Sequence, residues 1–124
     1  MLIPHLHLNG RCREALDFYE KAFLTKTDSI QYISDTEPEK GVVHAEIHIH
    51  GQRVMLNDRG GNKDFLTESA MQMVVIFGSV KELQYTYQFM SEGSITIDPM
   101  QETFYSPCVV GFLDKFGVRW GFMI

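Results

Sequence analysis

The sequence predicts an α+β fold made of two copies of a β-α-β-β-β module, and three observations carry that prediction. Moving residues 10–22 forward by 68 positions sets Gly10 on Gly78, Cys12 on Val80, Glu14 on Glu82, Ala15 on Leu83, Tyr19 on Tyr87 and Ala22 on Met90. This is an internal repeat. Within each copy, apolar residues recur at the spacing of an amphipathic helix. Between them, Val42 to His50 alternates apolar and polar residues, the period of a β-strand. One helix on the apolar face of each four-stranded sheet leaves the opposite faces free to form a curved mixed sheet around a cavity.

Taken in order, Ile3 to Leu8 reads as a strand with Leu6 and Leu8 on one face and His5 and His7 on the other. A turn at Asn9-Gly10 follows, with Asn9 as the expected N-cap of a helix over residues 11–24. Thr25 to Ile33 is a second strand, and residues 34–41 form a polar loop punctuated by Pro38 and Gly41. The histidine strand comes next. Val43, Ala45, Ile47 and Ile49 are expected on its apolar face, and His44, Glu46, His48 and His50 on its polar face. His48 and His50, near the end of the strand, are expected at the surface. Gly51-Gln52 turns the chain into Arg53 to Asn57, completing a hairpin.

Residues 59–70, with Gly60-Gly61-Asn62, are read as a linker between module one, about 1–58, and module two, about 71–124, of a single domain. Met71 to Phe77 is an apolar strand. Ser79-Val80-Lys81-Glu82 matches a capping box that opens a second helix, whose stripe is Val80, Leu83, Tyr87 and Met90. Ser94 to Asp98 is a strand, Pro99 to Thr103 a loop and Ser106 to Leu113 a longer strand. A turn at Asp114-Lys115-Phe116-Gly117 leads to the last strand, Val118 to Ile124, in which Trp120 and Phe122 face the core and Arg119 the other side.

With 44% hydrophobic residues over 124 positions, the chain has enough apolar surface for a core of its own. No run approaches the length needed to cross a bilayer, and the first residues do not form a signal peptide, so a cytoplasmic protein with no membrane partner is expected. Cys12 and Cys108 are in no CxxC pairing and are expected to be reduced thiols. The net charge of −5 is spread along the chain, with no basic run to follow a phosphate backbone. That argues against nucleic acid and for a small-molecule partner.

Four segments carry a resemblance that spans nearly the whole chain. They are Asn9-Gly10-Arg11-Cys12-Arg13-Glu14-Ala15-Leu16-Asp17-Phe18-Tyr19, His44-Ala45-Glu46, Gln101-Glu102-Thr103-Phe104 and Asp114-Lys115-Phe116-Gly117-Val118-Arg119-Trp120. The chain resembles the vicinal oxygen chelate (VOC) superfamily, which includes glyoxalase I, extradiol dioxygenases and bleomycin-resistance proteins, and within it the PhnB-like branch. The resemblance implies the glyoxalase fold and a homodimer. Proteins of this branch often carry the description 3-demethylubiquinone-9 3-methyltransferase. Nothing in the sequence, however, resembles the glycine-rich strand-to-helix turn that holds S-adenosylmethionine, and a βαβββ pair leaves little room for a doubly wound sheet.

In metal-dependent members, the resemblance implies ligands on the first and fourth strands of each module. His5 or His7 stands near the first such position, although aligning the two helices without a shift puts Pro4 there. Met55, Gln72 and Gly121 occupy the others. At most two ligands survive, His5 and Gln72, so no bound metal or other cofactor is expected. The expected function is therefore binding of a small molecule in the cavity between the modules, lined by His5, His7, Met55, Gln72, Phe104, Tyr105 and Arg119. If the protein is catalytic, Glu46 is the expected base and His44 its partner, a carboxylate beside an imidazole tuned toward neutral pH, with Arg119 holding an anionic group. A metal-dependent enzyme of the glyoxalase, lyase or dioxygenase kind is the alternative reading, and a non-catalytic interaction module the third.

Overall fold

A computed structural model describes residues 1–58 and 71–124, and the chain divides into two compact units, Met1–Phe65 and Leu66–Ile124. The expected linker lies outside the described residues. In the first unit the elements run β1 (His5–His7), α1 (Cys12–Phe23), β2 (Thr27–Tyr32), a 3-10 turn (Pro38–Lys40), β3 (Val42–Ile49) and β4 (Gln52–Asn57). In the second they run β5 (Met73–Ile76), α2 (Val80–Met90), β6 (Ile95–Thr103), β7 (Ser106–Leu113) and β8 (Arg119–Met123). The two sheets share one topology, β1-β4-β3-β2 and β5-β8-β7-β6, with the first pair of each parallel and the others antiparallel. The repeat in the sequence is thus a repeat of the fold.

Each helix covers one sheet face. Cys12, Ala15, Leu16, Tyr19 and Ala22 of α1 are buried, and so are Ala45, Ile47, Val54 and Leu56 of the first sheet. In the second unit Leu83, Thr86 and Met90 of α2 are buried, as are Val75, Phe112, Trp120 and Phe122. Phe122 makes edge-on ring contacts with both Phe77 and Phe112, at centroid distances of 4.9 Å and 5.0 Å. Among the described residues no helix is long and apolar enough to cross a membrane.

Local chemistry explains where the expected pattern bends. Val43 is exposed and Val42 is buried, because Tyr32 pairs with Val42 and Gln31 with His44. Val43 is therefore an extra residue, a β-bulge, and the apolar face of β3 runs Val42, Ala45, Ile47, Ile49. The hairpin turn is His50-Gly51, one residue earlier than expected, with φ of 49° and 81°, the two-residue turn that suits the twist of antiparallel strands. His50 is exposed as expected but sits in that turn, not on the polar strand face, and its ring meets Phe23 edge-on. Pro99 to Thr103 is not a loop. It belongs to β6, an edge strand whose register shifts accommodate the proline.

The start of α1 corrects another expectation. Asn9 has φ of 52° and is not the cap, and the residue at the N-cap position, Arg11, makes no side-chain cap bond. A carboxylate from the end of β4 takes over. Asp58 Oδ1 accepts hydrogen bonds from the Gly10 and Cys12 amides at 2.9 and 2.8 Å, and Oδ2 accepts one from the Val42 amide at 2.7 Å. One buried side chain thus ties the helix start to the bulged start of β3. At α2 the serine half of the expected capping box is present, since Ser79 Oγ accepts from the Glu82 amide at 3.1 Å. Both cysteines are buried and free, and burial, with Asp58 nearby, pushes the Cys12 thiol up to about 12.

Candidate functional site

In the first unit, the face away from α1 gathers the polar residues. His5 pairs with Met55 and Met55 with Glu46, so His5, Met55 and Glu46 form one row across β1, β4 and β3. His44 leans back toward this row. Its ring lies 6.3 Å from that of His5, and His5 lies 4.6 Å from His7. Although β4 separates their strands, long side chains span the gap across Met55. His7 Nδ1 is 2.8 Å from Asn57 Oδ1, and His48 Nδ1 is 2.6 Å from Asp28 Oδ2. His48 is exposed, as expected.

Burial and the two neighbouring imidazoles hold the pKa of His5 below the ordinary histidine value. The unfolded chain thus binds the proton more readily, and this term withdraws stability as pH falls through the histidine range. A His5→Gln variant is expected to lose less stability than the parent between about pH 7.5 and about pH 5.5, read from urea midpoints. Equal losses in both proteins would count against this coupling.

Glu46, the base that the sequence suggested, is paired with an arginine. Arg53 donates from Nε to Glu46 Oε1 at 2.8 Å, and its Nη2 makes a second, shorter contact with the same oxygen. His44 Nε2 lies 3.5 Å from that oxygen. These contacts, Arg53 foremost, hold the Glu46 carboxyl below its ordinary range, away from neutral pH. A carboxylate stabilised in this way is a weak proton acceptor. Arg53 was missed in the sequence because it lies on the strand opposite, paired with His48 and so diagonal to Glu46, two residues along on the same face; the hairpin register is the signal that finds it.

In the second unit, the corresponding face holds a trough. Val74, Gly121, Gly111 and Asp98 form one row across β5, β8, β7 and β6. The two central positions have no side chains of their own, which lets neighbouring side chains come down over them. The side chain of Gln72 reaches over Gly121, filling the space where a Cβ there would stand, and Asp98 Oδ2 lies 2.9 Å from the place of a Cβ on Gly111. The trough has a volume of about 280 Å³, and its walls include Gln101, Val109, Tyr105 and Met123. Of the expected site residues, Gln72 and Tyr105 line it. Phe104 does not: it is fully exposed at the tip of the β6–β7 hairpin, against the Tyr105 ring at 5.2 Å. Arg119 is half-buried, paired across strands with Leu113, and is not among the lining residues. Asp98 and Gly111 were not singled out in the sequence, and only the strand register shows that Gly111 faces Gly121.

The positions that hold a divalent ion in metal-dependent VOC proteins do not suit one here. In the first unit, Met55 offers a soft thioether beside His5. In the second, Gly121 offers no donor, and an amide lies over it where a carboxylate would project. Among the described residues no three histidine, cysteine, aspartate or glutamate side chains are grouped to hold a metal ion.

Comparison with known proteins agrees with this architecture. Residues 1–123 match the family described as 3-demethylubiquinone-9 3-methyltransferase. A Mycobacterium bovis protein, Mb0911c, is 27% identical over 125 residues, covering 96% of this chain and 79% of that protein. The solved structure of a PhnB protein from Bacillus cereus superimposes with a TM-score of 0.87 at 25% identity, covering 98% of this chain and 97% of that one. A glyoxylase/bleomycin resistance protein/dioxygenase domain from Frankia shares the fold, with a TM-score of 0.67 at 17% identity over 100% of this chain and 95% of that one.

Proposed function

Because the chain belongs to the family described as 3-demethylubiquinone-9 3-methyltransferase, in the PhnB-like branch of the VOC superfamily, we propose that it binds a small molecule on the polar face of its second sheet, without the superfamily's divalent ion. The observation that carries this reading is the trough floored by Gly111 and Gly121. A cross-strand pair of glycines is poor for sheet stability, and it opens a concave surface with polar groups at its rim. Methyl transfer is not part of the proposal, since two four-stranded mixed sheets offer no doubly wound dinucleotide-type site. Nor is proton abstraction by Glu46, whose carboxylate is held by Arg53. A homodimer belongs to the same reading on family resemblance, and sedimentation showing only monomer at micromolar concentration would remove it.

Gly121→Leu tests the trough. A Cβ at this position would clash with Gln72 Nε2 and stand 2.9 Å from its Cδ, so the flexible Gln72 side chain must swing aside while the leucine fills the trough. Small molecules that raise the melting temperature of the parent should then fail to do so in the variant. Ligands that stabilise both proteins equally would place binding elsewhere.

A further inference from the structure

Resting on that reading of the trough, we infer that its ligand is a single-ring molecule bearing a protonated nitrogen, held in the trough beside the Gln72 amide with its cation on the Asp98 carboxylate. Shape is the first argument. The Gln72 side chain lies over Gly121 and the Asp98 side chain over Gly111, so a ligand in the trough meets an amide and a carboxylate side by side above the two glycines. Val74 ends the row on one side and Asp98 on the other, while Val109, Met123 and the Tyr105 ring supply apolar walls. The volume of about 280 Å³ suits a single ring with a short substituent rather than an extended chain.

Charge is the second argument. Among the described residues that line the trough, Asp98 alone carries a charge; Gln72, Gln101 and Thr103 are neutral. No lysine, arginine or histidine among the described residues forms an ion pair with Asp98, and its carboxylate leans over Gly111 into the open space. An anionic ligand would meet this carboxylate with no compensating cation in the wall. A protonated amine or amidine meets a charge-assisted acceptor, and the Gln72 amide can bind a ring heteroatom beside it.

Benzamidine, benzamide and benzoate are near-isosteric flat probes that differ in charge, and titrating each while following backbone amide resonances tests the inference. Benzamidine is expected to move the Gly111, Gly121 and Val109 amides and to bind roughly tenfold or more tightly than benzoate. Asp98→Asn is expected to weaken benzamidine roughly tenfold while leaving benzamide unchanged. Unaltered amide dispersion in the variant would show that it remains folded. If probes bind at the trough but benzoate equals or exceeds benzamidine, or Asp98→Asn changes nothing, the charge assignment falls and the trough stands. If no probe moves the trough amides of the parent at millimolar concentration, the binding reading falls and this inference with it.

Discussion

Replacing Asp58 with alanine is expected to lower stability by about 3–5 kcal/mol. Three amides, those of Gly10, Cys12 and Val42, donate to this one carboxylate, and Asp58 and Cys12 are buried. Water cannot replace what is removed without opening the start of α1. Asp58→Asn is expected to cost about half as much, since one carbonyl oxygen remains to accept and the new amide faces donors. Urea denaturation followed by circular dichroism checks both. A midpoint within about 0.5 kcal/mol of the parent for the alanine variant would show that the carboxylate is dispensable.

Asp114→Ala is expected to cost about 2–4 kcal/mol in the second unit. Asp114 Oδ1 accepts from the Phe116 and Val118 amides at 2.9 and 3.0 Å, closing the β7–β8 turn, and Oδ2 accepts from the Trp120 indole at 2.9 Å. Gly117, at φ of 85°, completes the turn and donates to the Asp114 carbonyl. Trp120 is the single tryptophan of the chain, so its fluorescence reports on this site directly. A double-mutant cycle with Trp120→Phe isolates the indole bond. A coupling near zero between the two substitutions would mean that Asp114 acts on the turn alone.

Much of this architecture was legible in the sequence because it rests on periodicity. Two helices with apolar stripes, a strand alternating at Ala45, Ile47 and Ile49, and a repeat at a shift of 68 do not depend on distant contacts. What failed depends on pairing. The bulge at Val43 follows from how β2 and Asp58 meet β3, and alternation alone assigned Val43 to the wrong face. Pro99 read as a loop because its tolerance depends on β6 being an edge strand, a property of strand order.

The candidate site divides the same way. His5, His44, Glu46 and Gln72 could be singled out by residue type, and they lie on the sheet faces turned away from the helices. Their chemistry was set by partners that the sequence does not mark. Arg53 makes Glu46, the candidate base, one half of an ion pair and lowers its carboxyl pKa. Gly121 read as a missing metal ligand, yet opposite Gly111 it becomes half of a floor. An absent side chain carries no motif, so a site made of two of them becomes visible only in the register.

The Asp58 contact also makes distant parts of the first unit depend on one another. The amides it receives lie 48, 46 and 16 residues earlier in the chain. Without Asp58, α1 keeps its apolar stripe but lacks a protein acceptor for the Gly10 and Cys12 amides, and the start of β3 loses its anchor. One side chain supplies all three bonds. The first unit therefore has a built-in completion point: its helix is left unfinished by its own sequence and is finished by the residue that ends its last strand.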